Sequence, residues 1–441
     1  MNDEERQEFL ELAKDVLERN DRGGYTVPAG DLYPHQWLWD SCFTAIGLRH
    51  IDVERAKTEL TSLLRGQWSN GMLPNIIFNK KAERRELDLW RSYLSPYSPD
   101  NVATSGITQP PLLAEAVVRV GQKMKLAERR TWYTQMYPHL VDYHEWLYRD
   151  RDPHNEGLVL LLHPYESGLD NSPPWISELR KHSMPRWILA IEKLHLDGIV
   201  NLVRTDTRHA PPGQRMSNIE AMAYWSAIHR LRRKAYNSEA LLSRSLFAVE
   251  DLPFNSMLAR ANSHILEISK AIKEELPETL KIHMQNTREA LEQLWDESDG
   301  QYYSRSFVSH KLIEEPTIAT LLPLYSGAIS KERAKRLVEL LKSSKWFGAS
   351  WPIPSVPLNS PYFDPLKYWQ GPTWVNINWL IIEGLKNYGY KEEAHILQER
   401  TLQLVAKSGF AEYFNPLDGS PAGADNFSWT AALTIDLLKN S

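Results

Sequence analysis

The chain has 441 residues and a net charge of −5. It can bury a large core, and it lacks the basic balance expected of a nucleic-acid binder. A single cysteine, Cys42, excludes internal disulfides and a zinc-finger cluster and fits a reducing compartment. No apolar run approaches the ~18 residues of a membrane span. The charged start "MNDEERQEFLELAKDVLERN" does not read as a signal peptide, so a soluble, cytoplasmic protein is expected.

The excess lies in aromatic residues: 16 tryptophans and 19 tyrosines. Flat rings with polar tips stack on the apolar C–H faces of sugars, but they also fill large cores, and composition alone does not choose.

Helical periodicity dominates the chain. The first helix is expected over 4–20, with Phe9, Leu10, Ala13, Val16 and Leu17 on one face. The next, 35–50, opens in "DLYPHQWLWDSC", where Pro34 suits a first helical turn. Tyr33, Trp37 and Asp40 then fall at i, i+4 and i+7 on one face. Two rings and an acid at a helix mouth suit a sugar. The plainer reading is a core tryptophan and an acid favoured by the helix dipole.

A helix over 53–67 leads into a long polar connection, 68–108, which carries Asn75. Helices are expected over 109–122, opening at Gln109, and over 126–150. Amides such as Asn75 and Gln109 bind hydroxyls but are also ordinary turn residues.

A second connection, 152–186, contains "HPYESGLDNSPPW". Ser172 reads as an N-cap with Pro173 at the first helical position, which leaves Asp170 just outside a helix N-terminus. A helix over 187–201 precedes a third connection, 203–217, bearing Arg204, Arg208, His209 and Arg215. Connections this long inside a compact chain are usually functional.

Helices follow over 217–236, 237–247, 255–276 and 280–297, then a hairpin over 300–315, then helices over 315–326 and 330–343. A fourth connection, 344–371, runs into "YWQGPTWVNINWL". There Thr373 would cap a helix over 372–388, with Trp369, Gln370, Trp374 and Asn376 projecting at its mouth. Helices over 391–407 and 427–439 flank "GFAEYFNPLDGSPAGADNFSW". Glu412 sits there between Ala411 and Tyr413-Phe414, company a glutamate rarely keeps without a partner, and burial would raise its pKa.

There is no strand–helix alternation, no glycine-rich phosphate loop and no fixed-period repeat. An all-α, single-domain toroid of helical hairpins over 1–441 fits best, with one small β-hairpin and with loops at about 68–108 and 152–217 capping the mouth.

As a set these blocks resemble the (α/α)6-barrel glycosidases of glycoside hydrolase family 63 and, more distantly, the trehalases. "ESGLDNSPPW" is similar to the "ESGxDxSxxW" acid loop of that clan. "AEYFNP" with the following "FSWTAA" is similar to the segment carrying its general base. "WQGPTWVNINW" and "YPHQWLWDS" resemble two further blocks, in the expected order. The compact length resembles the short bacterial members that hydrolyse α-glucosylglycerate or α-mannosylglycerate.

The resemblance implies an inverting two-carboxylate hydrolase, with Asp170 as general acid and Glu412 as general base, about 6.5–9.5 Å apart. It implies a sugar subsite of Tyr33, Trp37, Asp40, Gln109, Trp369 and Gln370, with Asn75, Gly168, Trp175 and Trp374 also near substrate. Asp170 must be protonated to act, so desolvation against Trp175 should raise its pKa. Glu166 becomes a supporting group, and no cofactor or metal is implied. Arg204 and Arg208 would clamp a glycerate carboxylate, although a solvated basic loop explains them as well.

No clear family tyrosine aligns in that loop. This leaves open an uncharged aglycone, as in glucosylglycerol, a trehalose-like sugar or a short α-glucoside. A sugar epimerase using histidines such as His163 is a weaker alternative. The only partner implied is a small glycoside, with no nucleic acid and no membrane, and homo-oligomer formation is left open.

Overall fold

The computed structural model describes residues 2–30, 32–182, 184–202, 204, 211–243 and 247–440. Its first helix, α1 (Asp3–Asn20), buries the apolar face that the periodicity predicts and starts in an Asn2/Glu5 capping box. The chain continues through α2 (Leu38–Leu48), α3 (Val53–Leu64) and α4 (Arg84–Trp90). Next come α5 (Leu113–Gly121), α6 (Leu126–Arg151), α7 (Pro173–His182), α8 (Arg186–Lys193), α9 (Asn218–Arg233) and α10 (Ser238–Leu242). The last third holds α11 (Leu252–Ile272), α12 (Glu278–Leu291), α13 (Pro323–Ser326), α14 (Lys331–Lys342), α15 (Val375–Asn387), α16 (Lys391–Ser408) and α17 (Ser428–Lys439).

Two kinds of helix alternate, and their sequences say why. Helices such as α2, α15 and α17 are apolar or small on nearly every side, and α2 is buried from end to end. Helices such as α3 and α14 carry one apolar stripe against charge. The first kind closes an inner ring: α2 packs on α5, α5 on α11, α11 on α13, α13 on α15, α15 on α17 and α17 back on α2. Helices α1, α3, α6, α12, α14 and α16 pack outside it. Six inner and six outer helices make an (α/α)6 barrel.

The inner helices α2, α5, α15 and α17 all begin at one end of the ring, immediately after segments that carry candidate site residues. Near the other ends of α2 and α17, Arg49 and His50 converge on Asp436, at 2.7 and 2.8 Å. The long connections share a small core with α9. Ile76, Phe78, Trp90 and Ile107 of the first connection pack, apart from the main cluster, with Leu162 of the second and with Ile228 and Leu231 of α9. Among the described residues no helix is long and apolar enough to cross a membrane.

Several expected boundaries shift. The second helix begins at Leu38, not 35, because Gln36 and Trp37 pair antiparallel with Ile77 and Ile76, and Pro34 therefore lies outside it. The hairpin expected over 300–315 is present over 304–313, where Arg305 bridges Leu312 and the Ser306 and Ile313 amides donate to the Lys311 and Ser304 carbonyls, and further short pairings adjoin it. Trp295–Asp296 pairs with Gln301–Tyr302, and Arg305–Ser306 joins a three-stranded sheet with 160–161 and 249–250. Over 315–326 the chain makes a tight turn, Ile318–Leu321, and then only the short α13, which ends at Gly327 with φ +66°. The connections 68–108 and 152–186 contain α4 and α7. Thr373 does not cap α15; its hydroxyl donates to the Pro352 carbonyl.

Candidate active site

Asp170 sits on a tightly tied loop. Glu166, fully buried, accepts two 2.9 Å bonds from Arg151 at the end of α6 and further bonds from the Leu162, His163 and Thr108 amides. One carboxylate thus fastens the acid loop to a helix end, a strand and the segment before α5. Gly168 follows with φ +70°, and a Cβ there would lie 2.6 Å from the Trp39 ring. The next turn is held by Trp175, whose indole donates to the Leu169 carbonyl (2.9 Å), and by Tyr224, whose hydroxyl donates to the Asp170 carbonyl (2.5 Å). Burial pushes the Asp170 carboxyl up to about 7, and the neighbouring Glu412 charge adds to this. The Tyr368 hydroxyl, 3.2 Å from Oδ2, and the Arg215 charge act the other way.

Glu412 precedes the strand Tyr413–Phe414, which pairs with Pro421–Ala422. Its carboxylate is buried but fully answered. Tyr33 donates to Oε1 at 2.8 Å, the Ala424 amide to Oε2 at 2.9 Å, and Arg215 to both oxygens at 3.3 and 2.9 Å. Four donors, two on each oxygen, thus fix the orientation of this carboxylate in the cavity wall. Gly423 has φ +76°, and a Cβ there would lie 2.4 Å from Oε2.

The two acids line one cavity with Tyr33, Trp37, Asp40, Gln109, Gly168, Tyr368, Trp369, Phe427 and Trp429. Asp40 is pushed well above the usual carboxylate range by burial and by the charges of Glu412 and Asp170. A protonated Asp40 would both donate to and accept from a sugar hydroxyl. A second compartment shares Tyr33, Trp37, Asp170 and Tyr368 and adds Asn75, Trp90, Arg204, Arg215 and Trp225.

Tyr33, Trp37 and Asp40 do converge, but not along one helical turn: Trp37 is held out on its strand. Three residues expected to face substrate stand behind the wall instead. Trp374 lies flat against Trp369, ring centroids 3.8 Å apart. Gln370 donates to the Asn171 carbonyl (2.8 Å) and approaches Glu220. Trp175 packs edge-on against Phe247 and braces the acid loop rather than shielding Asp170. Asn75 reaches only the second compartment, where its side chain accepts from Ser105. Arg204 is buried there and donates to the Met216 carbonyl and Asn218. Arg208 and His209 lie outside the described residues.

Tyr368 carries no signal of its own in the sequence, although it begins the block that supplies Trp369. Arg215 reads in the sequence as a loop cation, and nothing local there shows that it reaches Glu412. His163 offers no acid–base chemistry. Its Nδ1 accepts from the Tyr165 amide, its other nitrogen meets the Tyr224 carbonyl, and burial pulls it down to about 4. Among the described residues no group of three or more His, Cys, Asp or Glu is placed to hold a metal ion.

Comparison with known proteins agrees with this geometry. Residues 33–430 match the family described as mannosylglycerate hydrolase MGH1-like glycoside hydrolase domain. A mannosylglycerate hydrolase of Thermus thermophilus is 37% identical over 430 residues, 96% of this chain and 99% of that protein. A glucosylglycerate hydrolase of Mycolicibacterium hassiacum is 32% identical over 438 residues, 96% of each. The crystal structure of a glycoside hydrolase family 63 mannosylglycerate hydrolase from Thermus thermophilus, in complex with Tris and D-glycerate, superposes with a TM-score of 0.87. It is 36% identical and covers 97% of this chain and 99% of its own. Neutral trehalase from Saccharomyces cerevisiae, at 17% identity and a TM-score of 0.59, shares the fold. The chain therefore belongs to the mannosylglycerate hydrolase MGH1-like family and is a glycoside hydrolase of family 63.

Proposed function

We propose that the protein hydrolyses α-mannosylglycerate or α-glucosylglycerate with inversion, Asp170 serving as general acid and Glu412 as general base. The observation that carries this is the unequal setting of two carboxyls on one cavity. Asp170, held near 7 by burial, keeps a proton to give, while Glu412 faces four donors. Environments that separate two carboxyls in this way assign the acid and the base. Asp170 protonates the glycosidic oxygen as the bond to the anomeric carbon breaks. Glu412 takes the proton of a water attacking the opposite face. Asp40, Gln109, Trp37 and Trp369 hold the sugar.

The second compartment suits the aglycone. Buried Arg204 supplies a cation to a glycerate carboxylate, and both relatives named above act on glycerate glycosides. The rest of its wall includes Ile76, Leu89, Trp90 and Trp225, which also fits the reading with an uncharged aglycone. The described parts of 68–108 and 152–217 serve as the cap of a single catalytic domain, the first packing with α9 in a separate apolar cluster.

A hydrolysis screen with mannosylglycerate, glucosylglycerate, glucosylglycerol and trehalose tests the substrate. Turnover confined to the two glycerate glycosides is expected. Faster cleavage of glucosylglycerol or trehalose would overturn the charged-aglycone reading.

A further inference from the structure

An inverting turnover leaves both carboxyls in the wrong state. Asp170 has given up its proton and Glu412 has gained one. Before the next turnover a proton must leave Glu412 and another must reach Asp170. Glu412, which holds the proton to be removed, is 1% exposed and Tyr368 is 7% exposed, while Tyr33 and Asp170 are half-buried at the cavity.

The two carboxyls are joined by a chain of hydroxyls. Tyr33 Oη lies 2.8 Å from Glu412 Oε1, the Tyr33 and Tyr368 hydroxyls lie 3.5 Å apart, and Tyr368 Oη lies 3.2 Å from Asp170 Oδ2. Arg215 Nη1 donates to Tyr33 Oη at 2.9 Å, which turns the Tyr33 proton away from the guanidinium and along the chain. We propose that Tyr33 and Tyr368 form a proton-return relay that resets the enzyme by carrying the proton from Glu412 to Asp170. This rests on the assignment of those two residues as base and acid.

The step balances. The Glu412 O–H bond breaks as its proton joins Tyr33 Oη. The Tyr33 proton passes to Tyr368 Oη, and the Tyr368 proton passes to Asp170 Oδ2. Three O–H bonds break and three form, no electrons change hands, and one proton has moved between the carboxyls. Burial pushes both phenols well above their ordinary range, so neither rests as a phenolate and the three transfers are concerted. The end state is also a complete hydrogen-bond chain: Asp170 donates to Tyr368, Tyr368 to Tyr33, and Tyr33 to Glu412. The middle link must shorten by about half an ångström to carry a proton. The positive charge of Arg215 at the Glu412 end repels the proton toward Asp170, 2.9 Å from Oε2 as it is.

The relay acts after the first irreversible step. It therefore enters kcat and not kcat/KM, which runs from free enzyme to that step. The experiment is steady-state kinetics of Tyr33→Phe and Tyr368→Phe on mannosylglycerate, or on whichever glycoside the wild type cleaves, with and without added acetate or imidazole. The expected result is a kcat lower by at least about tenfold, a smaller loss in kcat/KM, and restoration of kcat by the added buffer. A kcat that is unchanged, or that does not respond to buffer, overturns the relay. Near-wild-type turnover by Glu412→Gln or Asp170→Asn would instead remove the acid–base assignment itself, so the two failures are distinguishable.

Discussion

Arg215 forks onto Glu412, Nη2 at 2.9 Å from Oε2 and Nη1 at 3.3 Å from Oε1, and both side chains are buried. The guanidinium also lies over the rings of Tyr33 and Tyr368, 5.9 and 5.1 Å from their centroids. One cation thus steadies the base and two tyrosines of the site, from a segment just before α9.

Breaking this pair strands a buried carboxylate. Arg215→Met should destabilise the protein by about 3–5 kcal/mol, the usual cost of removing one partner of a buried ion pair. A lowered thermal midpoint and a kcat/KM reduced by orders of magnitude are expected. Arg215→Lys keeps the charge but loses the fork, and should recover the midpoint better than the activity.

Asp170 must carry its proton to work, and its carboxyl is pushed up to about 7. The active form is therefore complete below that value and lost above it. On the alkaline side kcat/KM should fall about tenfold per pH unit. The Tyr368 hydroxyl holds the Asp170 value down, so Tyr368→Phe should move this limb to higher pH. A pH–rate profile of the two proteins measures both effects.

Gly423 stands where a Cβ would strike Glu412 Oε2 at 2.4 Å, on a backbone with φ +76°. Gly423→Ala should displace the base and strain the turn, at a cost of about 1–3 kcal/mol. Activity should fall far more than the thermal midpoint.

Glu166→Ala removes the acceptor that gathers Arg151 and three amides under the acid loop. A loss of about 3–5 kcal/mol is expected, with Arg151 left uncompensated. Calorimetry of the variant beside Asp170→Asn separates the two acids: the first should unfold early, and the second should stay folded and inactive.

In the sequence Glu412 stands out because it lies among aromatics, whereas Asp170, just outside a helix start, has a setting that an ordinary surface carboxylate also keeps, and its expected role comes from the family resemblance of its loop. The helical pairing was legible from periodicity. What was not legible depends on distant chain. Gln36 and Trp37 stay out of the helix expected after Pro34 because Ile76 and Ile77 offer a strand. Arg215 finds Glu412 across the barrel mouth, and no spacing announces it. Gln370 and Trp374 neighbour Trp369 in the sequence, yet Gln370 donates to the Asn171 carbonyl and Trp374 stacks on the back of Trp369. Tyr368 shares the block of Trp369, but a lone tyrosine carries no signal without its partner.

Two carboxyls acting from opposite faces of one sugar would release the product with its anomeric configuration inverted. Proton NMR of the first product released from α-mannosylglycerate or α-glucosylglycerate tests this most directly, before mutarotation mixes the anomers. The β-anomer should appear first, and release of the α-anomer would contradict the roles given to Asp170 and Glu412.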